Sequence, residues 1–260
     1  MANAHAAQLF NLDDRVAVVT GASSGLGRQF ALALAKSGAT VAVCARRQDR
    51  LTALVKELEQ LGAKATAVQM DVCDRSSVGE AFKKIESEIG TADILVNNAG
   101  VSAPARAIDI SDKDWNWVVD TDLNGAWMVA QTAAQQMAKA EKAGSIINVT
   151  SIIASGVGAG LAPYAAAKAG LKQVSKCLAL EWARYGIRVN CIAPGYFSTE
   201  MNDDYLASED GQKIRENVPS RKFGDPGDLD GALLLLASDA GKHMTGTEIA
   251  VDGGHLCRGI

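Results

Sequence analysis

Two side chains that can transfer a proton lie four residues apart in the chain, where Tyr164 precedes Lys168. Residues at this spacing share one face of a helix. A phenol, with a reference pKa of roughly 10, is a poor base at neutral pH unless a nearby cation stabilises its anion, and Lys168 supplies that cation. Ser151 lies thirteen residues before Tyr164, and its hydroxyl can stabilise charge on a substrate oxygen. These residue types suit proton transfer at a carbonyl or hydroxyl group.

These side chains can cooperate only if the surrounding elements bring them together. Short β-branched runs alternate with longer amphipathic runs, which is typical of βαβ units. We predict an α/β fold with a single doubly wound Rossmann domain over residues 1–260, a seven-stranded parallel sheet and helices on both faces. Ser151 then follows the fifth strand, at the edge where such sheets bind ligands. The predicted strands are Arg15–Thr20, Thr40–Cys44, Ala65–Met70, Asp93–Asn97, Ser145–Thr150, Arg188–Ile192 and Glu248–Val251, and the predicted helices are Leu26–Lys36, Arg50–Leu61, Ser76–Ile89, Ser111–Lys139, Tyr164–Arg184 and Asp228–Ala237.

A glycine-rich turn, TGASSGLG at residues 20–27, connects the first predicted strand to the first helix. Gly21 permits a tight turn, Gly25 lets the backbone approach a pyrophosphate, and Gly27 allows close packing of helix on strand. The free N–H groups and positive end of the helix favour phosphate binding. Within a βαβ unit this turn predicts a dinucleotide site. The expected contacts are Gly21, Ser23, Ser24, Gly25, Leu26 and Gly27.

The end of the second predicted strand indicates which nicotinamide cofactor is bound. A carboxylate there accepts hydrogen bonds from the 2′-hydroxyl of NAD, whereas an arginine accommodates the 2′-phosphate of NADP. The chain has Ala45 followed by Arg46 and Arg47, and a guanidinium suits bidentate contact with phosphate. We therefore expect NADP(H) to be favoured over NAD(H), with Arg46 as the contact. The alternative is that both arginines are solvated loop charges.

Further motifs occur along the chain: NNAG after the fourth strand, YAAAK beginning at Tyr164, PG shortly after the sixth strand, and DGG near the end. With the glycine turn and the serine after strand five, they make the chain resemble the short-chain dehydrogenase/reductase family from about Leu12 to Gly254. The cofactor contacts that this resemblance implies are Asp71, Val72, Asn97, Ala99, Gly100, Tyr164, Lys168, Pro194, Gly195 and Thr199.

The resemblance also implies roles in catalysis. Tyr164 would be the acid/base, Lys168 would favour its phenolate and bind the nicotinamide ribose, and Ser151 would orient the substrate carbonyl. The family usually has Asn in an N-L-x-G pattern before strand five, where this chain has Asp122. That Asn acts largely through its main-chain carbonyl, which Asp122 keeps, so Asp122 is expected in the proton relay. Asn124 lies about 200° further round a helix and is expected to be a surface or packing residue.

Composition argues against several other classes of protein. The 260 residues carry 26 Lys and Arg against 30 Asp and Glu, with a formal net charge of -4, so we expect no nucleic-acid partner. The five cysteines form no C-x-x-C pair and the three histidines lack metal-ligand spacing, so no metal site or disulfide is predicted. The first ten residues do not resemble a signal peptide, and no long apolar run predicts a membrane span. We expect a cytoplasmic protein.

Residues 195–227 lie outside the alternating pattern, and a region this long is usually a lid or a binding segment. We expect it to close over the substrate. Its apolar side chains contact the substrate or, alternatively, only anchor the loop to the sheet. These candidates are Tyr196, Phe197, Met201 and Tyr205.

Ala-rich stripes in Asp112–Gln136 and Tyr164–Trp182 allow close approach of helices. Relatives in the family commonly form tetramers through these helices, so a homo-oligomer, tetramer or dimer, is expected.

The leading hypothesis for function is an NADP(H)-dependent oxidoreductase that interconverts a carbonyl and a secondary alcohol of a small molecule. The alternatives are an NAD-dependent alcohol or polyol dehydrogenase and a non-catalytic dinucleotide-binding sensor. A small ketone, a 3-oxoacyl thioester and a sugar or polyol stay open as substrates. Leu180, where carrier-protein reductases often have Arg, argues against an acidic carrier protein.

Overall fold

The computed structural model describes residues 7–200 and 203–257. The strands are β1 Val16–Thr20, β2 Thr40–Ala45, β3 Ala65–Gln69, β4 Ile94–Asn97, β5 Gly144–Val149, β6 Ile187–Pro194 and β7 Glu248–Val251. They form one sheet in the order β3-β2-β1-β4-β5-β6-β7, and all its pairs are parallel. The predicted doubly wound α/β fold is therefore confirmed. The order reverses between β1 and β4, and ligands of open sheets bind at such a switch point, beyond the carboxyl ends of the strands.

The helices begin and end at residues whose chemistry suits helix termini. The Asp74 carboxylate caps the third helix by accepting from the Ser76 N–H, and Ser111 caps the fourth by accepting from the Asp114 N–H. The helices are α1 Gly25–Lys36, α2 Gln48–Gln60, α3 Arg75–Ile89, α4 Asp112–Val119, α5 Ala126–Lys139, α6 Ala162–Trp182, α7 Asp203–Ala207, α8 Glu209–Asn217 and α9 Asp230–Ala237.

Two apolar layers cover the two faces of the sheet. Successive residues of β1 point to opposite faces: Val19 packs into the layer that contains Phe30 of α1, whereas Val18 packs into the layer that contains Phe82 of α3. Both faces are therefore buried, which explains why the strands are apolar almost throughout.

The structure differs from the predicted elements in two places. The helix expected over Ser111–Lys139 is interrupted by a π-helical turn, Asp120–Gly125, between α4 and α5. The loop expected over residues 195–227 contains α7 and α8, so this region is partly helical, and Met201 lies outside the described residues. The sequence pattern predicts one continuous helix over the first segment, since local helix propensity shows no break there. The π turn depends on tertiary contacts, which propensity does not report.

Candidate active site

The glycine-rich turn has the backbone geometry that a phosphate-binding turn requires. Gly21 and Gly25 have φ values of 65° and 53°, in the left-handed region that favours glycine. A Cβ at Gly21 would lie 2.8 Å from the Ala99 Cα, and one at Gly27 would lie 2.4 Å from the Gly21 carbonyl oxygen. The three glycines therefore let α1 approach β1 and the segment after β4 closely.

The start of α1 has no capping hydrogen bond from its N-cap side chain. Ser24 is the N-cap residue, yet its side chain makes no capping hydrogen bond, and the first turn contains no acidic residue. Instead, Arg47 Nη2 donates to Ser24 Oγ at 3.0 Å and to Ser23 Oγ at 2.8 Å. The exposed N–H groups and the helix dipole make this end an anion site.

The ribose end of the cleft carries two arginines, of which sequence reasoning selected only the first. Arg46 lines the cleft, and so does Arg47. The guanidinium of Arg47 is held by the two serines of the glycine turn. Arg47 therefore connects the end of β2 to the phosphate turn. Its position next to Arg46 in the sequence could have indicated a second cofactor contact, but only the fold shows that its side chain turns back toward Ser23.

The adenine end is formed by the loop after β3. Asp71 and Val72 both line the cleft, as the resemblance implied. One carboxylate oxygen of Asp71 accepts from the Cys73 N–H at 3.0 Å, and its own N–H donates to the Ser77 hydroxyl at 3.0 Å. These two bonds fix the loop after β3 at this end of the cleft.

Two of the expected cofactor contacts, Asn97 and Gly27, do not line the cleft. The Asn97 side chain is buried and its amide donates to the Ala126 carbonyl at 2.6 Å and to Asn148 Oδ1 at 3.1 Å. Because both donors are used inside the fold, Asn97 fixes the start of α5 against β4 and β5. The next residue, Asn98, is the one that lines the cleft. Gly27 acts through packing, as its contact with the Gly21 oxygen demonstrates.

Tyr164 and Lys168 lie on the first two turns of α6, and both line the cleft. Pro163, which needs no hydrogen-bond acceptor, occupies the start of this helix. The Lys168 Nζ lies 5.6 Å from the centre of the Tyr164 ring. It donates to the Val149 carbonyl at the end of β5, at 3.0 Å. The face of α6 that carries Tyr164 and Lys168 is therefore the one that lies against the carboxyl end of β5.

Ser151 follows β5 by two residues and lines the same cleft. It is the N-cap of a short 3₁₀ turn, and its hydroxyl oxygen accepts from the Ile153 N–H at 3.3 Å. The hydroxyl proton is thereby left to be donated elsewhere. Thr150 also lines the cleft, but its hydroxyl is already hydrogen-bonded within the fold, to the Ile192 carbonyl and to Glu248. Ser151 is therefore the better placed hydroxyl for a substrate.

Asp122 lies in the π-helical turn and contacts Lys168 through its side chain. Its carboxylate is fully buried, with Oδ2 at 3.1 Å from Lys168 Nζ and Oδ1 accepting from the Val101 N–H at 2.7 Å. Burial raises the pKa of the Asp122 carboxyl, although the Lys168 ammonium and the Val101 amide act in the opposite direction. Burial is the largest single influence on the pKa of Lys168 and acts to lower it, but the Asp122 carboxylate, Tyr164 and Cys191 together outweigh it and the net pKa is raised.

Sequence reasoning placed Asp122 in the site through its backbone and missed the side-chain ion pair. The acidic side chain at a position where the family usually has Asn could have indicated an ion pair with Lys168. Gly100 makes room for the pair, because a Cβ there would lie 2.8 Å from Asp122 Oδ2 and 3.3 Å from Lys168 Nζ. Asn124 lies on the surface, as expected, and donates to Asp120 Oδ1 at 2.8 Å.

Another part of the cleft lining is formed by the last residue of β6 and the residues that follow it. Pro194, Gly195, Phe197 and Thr199 line the cleft. A Cβ at Gly195 would lie 2.8 Å from the Asp252 Cα, which explains why the PG and DGG motifs occur together. Thr199 lies against Gly25, where a Cβ would be 3.5 Å from the Thr199 Cβ.

The loop aromatics divide between the two expected roles. Phe197 lines the cleft, whereas the Tyr196 ring packs 5.6 Å from the His255 ring and 6.2 Å from the Phe223 ring. Burial, with a contribution from Tyr205, raises the pKa of Tyr196. Tyr205 is half-exposed on α7. Tyr196 therefore anchors the region to the chain's end rather than lining the cleft.

The complete cleft has a volume of about 570 Å³ and runs along the carboxyl edge of the sheet. It brings together the expected residues of the glycine turn, the ribose end, the adenine end and α6. The lining residues that were not expected are Cys44, Ala45, Arg47, Met70, Cys73, Asn98, Val101, Ser102, Thr121, Val149 and Thr150.

The described residues offer neither a metal site nor a membrane span. Over residues 7–200 and 203–257, no cluster of three or more His, Cys, Asp or Glu side chains could hold a metal ion. In the same ranges no helix is both long and apolar enough to cross a membrane.

Comparison with known proteins agrees with this geometry. A family model described as enoyl-(acyl carrier protein) reductase matches residues 21–255. A 3-oxoacyl-[acyl-carrier-protein] reductase of Staphylococcus epidermidis is 37% identical over 242 residues, covering 93% of this chain and 98% of that protein.

Two solved structures superpose on the whole fold. A short-chain type dehydrogenase/reductase from Mycobacterium marinum has a TM-score of 0.92 at 34% identity, covering 96% of this chain and 99% of that one. A gluconate 5-dehydrogenase from Burkholderia cenocepacia, in complex with NADP and tartrate, has a TM-score of 0.94 at 33% identity, covering 98% and 100%. The chain therefore belongs to the short-chain dehydrogenase/reductase family of oxidoreductases.

Proposed function

We propose that the protein is an NADP(H)-dependent oxidoreductase that interconverts a carbonyl and a secondary alcohol. The observation that carries this proposal is that Ser151, Tyr164 and Lys168 line one cleft together with the glycine turn. A reactive carbonyl and a dinucleotide can therefore occupy adjacent parts of the same cleft. A non-catalytic sensor does not need this acid–base set beside the nucleotide site.

The cleft fits a dinucleotide with a 2′-phosphate. The uncapped N-terminus of α1 offers backbone donors to the diphosphate. Arg46 and Arg47 lie at the ribose end, and no carboxylate occupies the last position of β2, which is Ala45. The preference for NADP(H) is supported by the Burkholderia cenocepacia relative, which was solved with NADP. The adenine would lie beside Asp71 and Val72, and Thr199 would contact the nicotinamide amide.

The residues divide the chemistry between them. When bound, NADPH supplies the hydride that the carbonyl carbon accepts. Ser151 donates a hydrogen bond to the carbonyl oxygen and orients it beside Tyr164. Tyr164 donates the proton that converts this oxygen to the hydroxyl of the alcohol, and its phenolate is stabilised by the Lys168 ammonium. Alcohol oxidation runs through the same groups in reverse, with the phenolate as base.

The direct test is a panel of carbonyl compounds assayed for NADPH and NADH oxidation. The panel contains a small ketone, a 3-oxoacyl thioester and a keto-sugar acid, which represent the three open substrate classes. We expect at least one compound to be reduced, with NADPH preferred over NADH by about tenfold or more, since arginine–phosphate bonds are strong. Cofactor binding without turnover of any compound would favour the sensor, and a preference for NADH would favour the NAD-dependent alternative.

We also propose that the protein assembles as a homo-oligomer in the cytoplasm. Leu180 on α6 is 82% exposed, and Trp115 and Trp117 on α4 are partly exposed, so large apolar side chains lie on the two helices expected to associate. The five cysteines, all within the described residues, are free, which fits a reducing compartment. Light scattering of the parent and of Leu180→Glu tests the assembly: we expect a dimer or tetramer that the substitution dissociates. A monomeric parent would contradict the proposal.

A further inference from the structure

The pairing of Asp122 with Lys168 goes beyond what binding and hydride transfer require. Lys168 lies at the end of the cleft with its side chain only 5% exposed, and the Asp122 side chain has no exposure at all. Two opposite charges at 3.1 Å in so little water interact more strongly than a surface pair. The charge that Lys168 offers to the cleft is therefore partly balanced before any ligand arrives.

The contacts of the two groups define how the pair is held. Lys168 has three N–H donors; one reaches the Val149 carbonyl, and Asp122 Oδ2 lies within ion-pair distance. The Oδ2 atom forms an ion pair with Nζ at 3.1 Å, and the Lys168 ammonium favours the ionised form of the carboxyl. Asp122 Oδ1 is fixed by the Val101 N–H. One side of Lys168 therefore faces an immobile carboxylate, and the other faces Tyr164.

We propose that Asp122 is a positioning residue whose ionised carboxylate holds the Lys168 ammonium and keeps Tyr164 in its protonated, proton-donating form at neutral pH. This inference rests on the proposed function, and it concerns which protonation state of Tyr164 the free protein holds. An ammonium alone stabilises a phenolate. A carboxylate behind the ammonium opposes that effect, because its negative charge repels the phenolate. The free protein then holds the proton donor that carbonyl reduction uses, and alcohol oxidation requires a higher pH to form the phenolate.

The other charged and titratable groups near Lys168 are accounted for. Cys191 of β6 is buried, and burial raises the pKa of its thiol to about 11, so it is neutral. Lys172, one turn further along α6, is paired with Glu248 of β7 at 2.5 Å. Asp122 is thus the carboxylate placed directly against Lys168 among the described residues.

The test compares Asp122→Asn with the parent across a pH series. Asn has the same shape and can still accept from the Val101 N–H, but it carries no charge. We expect the midpoint of the pH profile for alcohol oxidation to move to lower pH by about 1 pH unit, because removal of the carboxylate favours the phenolate. Asp122→Ser, neutral but smaller, should move the midpoint in the same direction. A midpoint that stays in place or rises in both variants overturns the proposal.

Asp120→Asn is the matched control, since Asp120 lies in the same π turn but is exposed. Solvent screens this carboxylate, so its substitution should leave the midpoint unchanged. A shift equal to that of Asp122→Asn would mean that the turn's geometry, rather than the buried charge, sets the profile.

A second readout needs neither cofactor nor substrate. The ultraviolet absorbance of tyrosinate is followed against pH in the free protein, and the Tyr164→Phe difference, taken in the parent and the Asp122→Asn backgrounds, isolates Tyr164. The Tyr164 signal should develop at lower pH in the Asp122→Asn background; an identical or higher midpoint overturns the proposal. If no carbonyl compound is turned over, the proposed function fails, and this titration still decides the role of Asp122.

Discussion

The phosphate-binding turn at residues 20–27 and the proton-transfer corner, which comprises Asp122, Ser151, Tyr164 and Lys168, are built in opposite ways. The turn depends on side chains that are missing: Gly21, Gly25 and Gly27 let backbone approach backbone. The corner depends on charged side chains whose burial costs free energy. Lys168 and Asp122 lose their hydration, and the attraction between their charges offsets part of that desolvation cost. One region recognises an anion through fixed backbone dipoles, and the other adjusts protonation through charges.

This difference predicts how the two regions respond to substitution. A change in the turn acts through sterics, so it should alter nucleotide affinity and the free energy of unfolding. A change in the corner acts through proton transfer and electrostatics, so it should alter turnover and its pH dependence while the nucleotide still binds. Four substitutions separate these responses, beginning with the largest expected effect.

Tyr164→Phe should reduce kcat by about 10³-fold, since it removes the proposed acid/base. The dissociation constant for NADPH, measured by calorimetry, should change by much less, about tenfold at most, because the loss of the phenol hydroxyl removes at most one of the many expected cofactor contacts. Tyr185→Phe is the matched control, because Tyr185 is partly exposed and contacts Arg184. Undiminished turnover in Tyr164→Phe would remove Tyr164 from catalysis and, with it, the contrast between the two regions.

Gly27→Ala should weaken NADPH binding by about 10- to 100-fold and lower the free energy of unfolding by about 1–3 kcal/mol, the usual cost of overpacking. The new Cβ would lie 2.4 Å from the Gly21 carbonyl oxygen, which belongs to the backbone and cannot easily yield. Thermal unfolding and calorimetry measure the two effects.

The control for this substitution is Gly79→Ala in α3, where a Cβ meets nothing within 4 Å. It should leave NADPH binding unchanged and stabilise the protein by up to about 1 kcal/mol, the helix propensity difference. If Gly27→Ala behaves like Gly79→Ala, the turn is not sterically fixed.

Arg47→Ala should weaken NADPH binding by about tenfold and leave NADH binding within about twofold, because a hydrogen bond to a charged group contributes roughly 1.5–3 kcal/mol. The same comparison applied to Arg46→Ala shows how the two guanidiniums share the 2′-phosphate. Equal losses for NADPH and NADH would mean that Arg47 stabilises the turn rather than recognising the phosphate.

Ser24→Ala should have the smallest effect, a rise of about fivefold in the NADPH dissociation constant, since it removes one net hydrogen bond from Arg47. Ser23 still accepts from the same guanidinium. The ratio of NADPH to NADH affinities should fall by the same factor. An effect as large as that of Arg47→Ala would indicate that Ser24 alone positions the guanidinium.

Much of this protein is determined by local sequence. The β-branched runs predict the strands to within two residues at each end, because a strand buried on both faces must be apolar throughout. The glycine turn is also a local property, because positive φ at Gly21 and Gly25 depends on residue type rather than on distant contacts. Tyr164, Lys168 and Ser151 were placed at the same edge by helix spacing and by sheet topology.

The tertiary structure alone decided which polar side chains face the cleft and which are used inside the fold. Asn97 turns inward to the Ala126 carbonyl, Arg47 turns back to Ser23, and the π turn brings the Asp122 carboxylate to Lys168. Each of these orientations depends on partners 24 to 46 residues away in the chain or on the backbone of a neighbouring element. Hydrophobic periodicity records burial, but it does not record the partner that a buried polar group finds.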